Sequence, residues 1–242
     1  MFEMAGALPA ELRHTLLKEY RCGLWFMEPT DELIVSRFFQ ARTINYNERS
    51  VVMPLIEMAN HGAGANYDTS GGVALKGTFP GEILVEYAQL DSLDYFHSWG
   101  FATQRPMAFS VALTGKIDST TLRVGQKFMG GPRDSEQSWI PKLEKNADNV
   151  TLPFVLLGHR RFPRLPKGIF FRLMRNAGYS GFGETFDLIH HYNRLHFLKL
   201  LDVLDGVNLP IAATLRSVAR NQLRAMSFCF GVREIRSTEN LT

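Results

Sequence analysis

Apolar residues recur at helical spacing near the front of the chain, fall into short alternating runs in the middle, and return to helical spacing towards the end. Residues 9–22 (PAELRHTLLKEYRC) put Leu12, Leu16 and Leu17 on one side of a helix, with Pro9 suited to its first turn. A second helix is expected from Thr30. The Thr30 hydroxyl can cap it, and Asp31 and Glu32 fall in the first turn, where the helix dipole favours acids. Ile34, Phe38 and Phe39 are expected to face inward. After residue 50 the texture changes. Val51 to Met58 is short and apolar, and 59–64 (ANHGAG) is loop chemistry. Residues 72–78 and 82–87 read as strands joined by a turn at Phe79-Pro80-Gly81, with Ile83, Val85 and Tyr87 alternating against Glu82, Leu84 and Glu86. Phe109–Leu113 and Thr121–Phe128 are further strand candidates.

The stretch 129–149 is rich in Gly, Asp, Asn and Ser and reads as a loop or linker, and everything beyond it reads as helical. Over 184–205 the expected inner stripe is Phe186, Ile189, Tyr192, Leu195, Leu198 and Leu201. Over 211–228 it is Leu215, Val218, Ala219, Leu223 and Met226, with Pro210 at the helix start. These patterns predict an α+β chain, with short strands first and an all-helical part after them.

Composition narrows the class without naming a function. The chain has 242 residues, 45% hydrophobic and 21% charged, enough for one large domain or two small ones. Its net charge of +3 does not by itself imply a nucleic-acid partner. Cys22 and Cys229 form no CxxC or Cys/His cluster, so two buried, reduced thiols in a cytoplasmic protein are expected, with no disulfide and no metal site. No signal peptide is evident, and the longest apolar runs fall far short of the ~20 residues of a membrane span. His190, His191 and His196 crowd one helix, but no HExxH spacing occurs, so packed or solvated histidines are expected. Arg216, Arg220 and Arg224 form a basic stripe. It reads first as a solvated helix face, and second as a face contacting protein or phosphate, with His159-Arg160-Arg161 adding positive charge. Neither a P-loop nor a GxSxG elbow is present.

One set of segments is far more specific. Ser36-Arg37 is followed by Met53-Pro54-Leu55-Ile56-Glu57-Met58-Ala59-Asn60-His61, then by Gly81-Glu82-Ile83-Leu84-Val85-Glu86-Tyr87, then by Trp99-Gly100-Phe101. In order and approximate spacing these pieces resemble the SET-domain protein-lysine methyltransferases of the Rubisco large-subunit methyltransferase type. Taken singly, Asn60-His61 reads as a turn, Tyr87 as a half-buried strand tyrosine, and Trp99 and Phe101 as core. The specific resemblance covers about residues 30–113. Glu57, Ile83 and Trp99 stand where the family has Asp, Glu and Tyr.

The resemblance implies a partial SET fold over 1–115, with a helical insert at 9–41, and a helical substrate-binding domain over 116–242. It implies transfer of a methyl group from S-adenosylmethionine to a lysine of a protein substrate bound through the helical half. Tyr87 matches the catalytic tyrosine, Asn60 and His61 the cofactor-binding pair, and Trp99 and Phe101 the walls of the lysine channel. The family's Gly-x-Gly element, normally ahead of the Asn-His, has no counterpart there. Gly62-Ala63-Gly64 comes after it. The expectation is therefore a clipped or reduced SET protein whose cofactor affinity is weak, cytoplasmic unless an upstream segment directs import into an organelle. The alternative is a non-catalytic SET-like interaction module.

Overall fold

Pro9 and Thr30 each stand just ahead of a helix as its N-cap residue, Thr30 capping through its hydroxyl and Pro9 lying one position before the first turn it was expected in. In the computed structural model, which describes residues 1–20, 23–46, 49–53, 59–62, 74–75, 81–87, 90–117, 120–126, 139–146, 148–180 and 182–233, the architecture is mixed α+β. The short helix α1 (Phe2–Gly6) leads into α2 (Ala10–Lys18), which Pro9 precedes as the N-cap residue. Leu16 is fully buried, with Leu12 and Leu17 packed beside the core. A 3-10 turn at Leu24–Phe26 follows, and its Trp25 indole donates to Phe96 O at 2.8 Å.

Residues 28–89 form one of two compact units, and 1–27 with 90–242 form the other. In the smaller unit, α3 (Asp31–Arg42) starts where Thr30 Oγ accepts from the Leu33 amide at 3.2 Å. Its expected apolar face is not inward. Ile34, Val35, Phe38 and Phe39 are all about half exposed, and the buried residue is Arg37. Arg37 donates to Gln40 at 2.6 Å, and burial pushes its guanidinium down to about 10. Two antiparallel strands follow, β1 (Thr43–Tyr46) and β2 (Arg49–Val52), and then a two-residue parallel pair, β3 (Asn60–His61) with β4 (Leu84–Val85). Val85 is fully buried, whereas Ile83 faces outward at 38% exposure and Glu86 and Tyr87 are both half-buried, so the expected alternation holds only at Val85. Of the strand expected over 72–78 only 74 and 75 are among the described residues.

The larger unit contains α4 (Ser92–Trp99), capped by Asp91. One Asp91 carboxylate oxygen accepts from the Asp94 amide at 2.9 Å and the other from the Phe109 amide at 2.7 Å. Of the two strand candidates there, Thr121–Phe128 overlaps β7 (Thr120–Val124), whereas Phe109–Leu113 meets β5 (Met107–Phe109) and β6 (Leu113–Ile117) only at its ends, with 110–112 outside any strand. The β6–β7 hairpin straddles position 115, so contacts group the chain differently from the 1–115 and 116–242 division that the motifs suggested.

The expected linker is a further correction. Residues 129–138 lie outside the described set, but β8 (Glu144–Lys145) and β9 (Asn149–Leu152) join β6 and β7 in a four-stranded sheet of order β6-β7-β9-β8, with β7 and β9 parallel. Next comes β10 (Leu156–His159), paired with β5 through a register shift between Leu156 and Gly158. Regular helix begins only with α5 (Leu165–Asn176), α6 (Phe182–Val203) and α7 (Pro210–Met226). Within the larger unit these helices and the strands β6, β7 and β9 enclose an apolar core around Phe170, Phe186, Phe197, Leu215 and Val218, with a smaller cluster of Met107, Phe109, Phe154 and Leu156 at the β5–β10 pair.

The buried face of α6 is rotated from the one expected. Phe197 and Leu200 are inside, whereas Leu198 is 39% exposed. Asn193 is completely buried, accepting from the Val111 amide at 2.7 Å and donating to Ile189 O at 2.8 Å. Asp187 is buried against Lys167 at 2.7 Å, and Lys167 also donates to Gly231 O. Cys229 is a free thiol, half-buried rather than buried, and burial pushes it up to about 11. Cys22 lies outside the described residues. Among the described residues no helix is long and apolar enough to cross a membrane.

His190 gives this core a pH dependence. It is buried, with Nε2 3.3 Å from Met226 O, and burial holds its imidazole below the ordinary value. Burial lowers His159 in the same direction. A depressed folded-state value means that the stability contribution is complete above the unfolded value of about 6.5 and is lost as pH falls towards the folded value. Melting temperature should therefore drop from pH 7.5 to pH 5.5. His190→Gln, which keeps a donor for Met226 O, should shrink that drop without abolishing it. An unchanged drop in thermal unfolding of the variant would remove His190 as a source.

Candidate functional site

The parallel pairing of β3 with β4 sets the geometry around Asn60 and His61. Asn60 N donates to Ile83 O and Gly62 N to Val85 O, both at 3.0 Å. In such a ladder alternate residues face the partner strand, so the backbone N–H and C=O of His61 point to the other edge of β3. The register sets Asn60 opposite Leu84 and His61 opposite Val85. Gly62 lets the strands approach: a Cβ there would lie 2.7 Å from the Leu84 side chain.

Two residues past β4 the chain brings Tyr87 beside His61. Their ring centroids are 5.3 Å apart at an interplanar angle of 54°, and the Tyr87 amide stands 3.5 Å from His61 Nδ1. The Tyr87 hydroxyl donates to Ala59 O at 2.9 Å. Tyr87 therefore touches His61 and Ala59, the two residues flanking Asn60, although 26 positions separate His61 from Tyr87. Burial raises the Tyr87 phenol above its usual value; Arg42 opposes this shift and Glu82 adds to it. Tyr87 is thus a neutral phenol at physiological pH, its proton directed to a backbone carbonyl and its oxygen lone pairs available as acceptors.

The Asn60 side chain is exposed, and its amide nitrogen donates to the carboxylate of Glu82. Glu82 was legible as part of the Gly-Glu segment but not as a partner of Asn60. Only the β3–β4 pairing joins positions 22 residues apart.

Trp99 and Phe101 belong to the larger unit. Trp99 ends α4, and Gly100 closes the helix at φ 82°, a left-handed conformation that suits glycine. The Trp99 and Phe101 rings stack at 6.4 Å, and both lie against the fully buried Tyr95, at 4.8 Å and 5.7 Å. Both are half-buried, so each presents part of a ring to its surroundings.

The donor set around Asn60 suits the polar groups of S-adenosylmethionine. An amide carbonyl can accept from an ammonium or an exocyclic amine, the outward backbone edge of His61 can pair with an adenine edge, and Glu82 offers negative charge to a cation. Among the described residues no group of three His, Cys, Asp or Glu is placed to hold a metal ion. His196, one of the three histidines weighed above, instead packs its ring 5.3 Å from Tyr20 and 5.2 Å from Phe197. Set beside known proteins, the chain matches no family model, no curated protein and no solved structure.

Proposed function

We propose that this protein transfers a methyl group from S-adenosylmethionine to the side-chain amine of a lysine in a protein substrate. The observation that carries the reading is the contact of Tyr87 with the Ala59–His61 segment at the β3–β4 pair, its ring beside His61 and its hydroxyl turned onto Ala59 O. That is the juxtaposition that the resemblance to SET-domain methyltransferases requires of residues so far apart in sequence.

When bound, the cofactor would supply an electrophilic methyl on a sulfonium, to be taken by the amine lone pair with the thioether as leaving group. Asn60 and the His61 backbone hold polar groups of the cofactor. Tyr87 keeps its proton, so its oxygen acts as an acceptor that aligns the amine and takes weak C–H hydrogen bonds from the methyl. The amine must be neutral to attack, whereas an exposed lysine titrates near ~10.4. An apolar channel around the amine would disfavour the ammonium and leave the lone pair free. The helical half, α5 to α7, is the proposed platform for the protein substrate.

Incubation of the purified protein with methyl-labelled S-adenosylmethionine and a cell extract should yield labelled methyl-lysine on hydrolysis of the extract's proteins. Asn60→Ala should weaken cofactor binding by roughly fivefold, the size of one lost hydrogen bond. Absence both of label above a heat-killed control and of saturable cofactor binding in calorimetry would overturn the reading.

A second reading, a SET-like module that binds a partner without catalysis, is favoured by the exposed apolar residues of α3, namely Ile34, Val35, Phe38 and Phe39. On that reading the same titration gives no binding.

A further inference from the structure

Three arginines widely separated in sequence line one cavity of the larger unit. Arg105 lies just before β5 and Arg160 just after β10. The antiparallel pairing of those strands brings them together, with Arg160 N donating to Pro106 O at 2.6 Å. Arg224 comes from the last turn of α7, one turn beyond Asn221. The cavity measures about 130 Å³ and is lined by Gln104, Arg105, Pro106, Arg160, Asn221, Arg224 and Phe228, with no carboxylate among them. A water needs only ~10–15 Å³ on such a measure, so there is room for one small polyatomic anion.

The walls hold the cations in place. Arg105 Nε donates to Leu90 O at 2.9 Å, and its guanidinium lies 5.0 Å from the Tyr95 ring. Arg160 lies over Phe228 at 5.9 Å. The Asn221 amide nitrogen is committed to Ser92 Oγ and Thr103 O, so it stiffens the wall and adds no charge. Among the described residues neither Arg160 nor Arg224 has an ion-pair partner. Like charges held around a small cavity repel one another, which an anion in the cavity relieves.

We propose that this cavity binds the phosphate group of a small phosphomonoester. The charge argues for a dianion: Arg160 and Arg224 bring two positive charges without a carboxylate, and a monocarboxylate would offset only one. Guanidinium forks match phosphate oxygens in pairs, which a point charge cannot do. The C-terminal end of the α7 dipole favours the arginines there and works against an anion, but that effect is smaller than a pair of charge-assisted bonds. The site is independent of the methyl-transfer reading, because every lining residue lies in the unit that does not contain Asn60, His61 or Tyr87.

Calorimetric titration of the full chain with inorganic phosphate at low salt tests the proposal. Saturable 1:1 binding is expected in the submillimolar range, weakened about tenfold by Arg160→Gln or by Arg224→Gln, on the scale of charged hydrogen bonds. Both positions are exposed, so melting temperatures of the variants should match the parent. Acetate should bind at least tenfold more weakly than phosphate. Free O-phosphoserine should bind at least as tightly as a phosphoserine peptide. Equal phosphate affinity in parent and variants, no saturable binding, acetate as tight as phosphate, or a peptide preferred tenfold would each overturn the assignment.

Discussion

Replacing Gly158 with alanine is expected to lower the melting temperature by on the order of 10 °C, through a loss of roughly 3–5 kcal/mol of stability. Gly158 sits at the register shift of β10, where α7 crosses the strand. A Cβ there would lie 2.1 Å from Ala225 O and 2.7 Å from Met226 Cα. Both are backbone atoms of the α7 C-terminus, so no rotamer change relieves the clash, and strand and helix must move apart. The neighbours that would lose contact are core residues, because Leu156, Leu157, Ala225 and Met226 are all buried. A matched control lies close by in sequence. Gly168 is inside α5, and a Cβ on it would meet nothing within 4 Å. Gly168→Ala should instead add about 0.5–1 kcal/mol, the difference in helix propensity. Opposite signs for one chemical change at two glycines would locate the effect in the β10–α7 approach. Equal melting temperatures for parent and Gly158→Ala would mean that strand and helix do not meet there.

The sequence announced what short-range chemistry decides and hid what long-range pairing decides. Thr30 predicted the start of α3 because its hydroxyl caps an amide three residues on, a contact the local chain sets alone. Pro210 fixed the start of α7 by another local device, its preset φ and missing N–H at the first helical position. The strands β9 and β10 were missed for a physical reason. All four residues of β10 are buried, so alternation disappears, and a short run of that kind looks the same in a strand and in a buried helix. The partner of β9 is β7, parallel and 28 residues earlier, and nothing local declares it. The stripe of α6 was placed off its true face because Asn193 and His190, polar and so absent from an apolar stripe, are inside with hydrogen-bond partners.

The outward turn of Ile34, Phe38 and Phe39 has the same lesson reversed: apolar spacing marks a face without saying what covers it. For the site, the order of motif pieces singled out Asn60, His61 and Tyr87, whereas Glu82 as the partner of Asn60 needed the register of β3 on β4. The cavity arginines were visible only as a stripe and a cluster. Arg224 faces that cavity, but Arg216 in the same stripe is spent on Leu204 O and Val207 O in the turn after α6.

Removal of the Tyr87 hydroxyl is expected to separate the proposed catalysis from cofactor binding. If methyl transfer occurs as proposed, Tyr87→Phe should lower kcat about 100-fold, the effect of a small misplacement at a reacting centre. The dissociation constant for S-adenosylmethionine should change less than about fivefold, because only one hydrogen bond is lost and it is made to the backbone. That bond is the one from the hydroxyl to Ala59 O, next to Asn60, so a modest shift in affinity is expected and a large one is not. The pH profile distinguishes this role from proton abstraction. Burial keeps the Tyr87 phenol above its ordinary value, so it carries its proton throughout the neutral range. A tyrosinate base would impose a rising limb that disappears in the phenylalanine variant. With Tyr87 acting as a neutral acceptor, the rise of kcat/KM with pH belongs to the substrate amine and persists in the variant, displaced downward at every pH. Single-turnover rates from pH 7 to 9 on both proteins measure this. A variant that turns over at the parent rate, or that loses activity only through cofactor affinity, would remove the hydroxyl from the reacting centre.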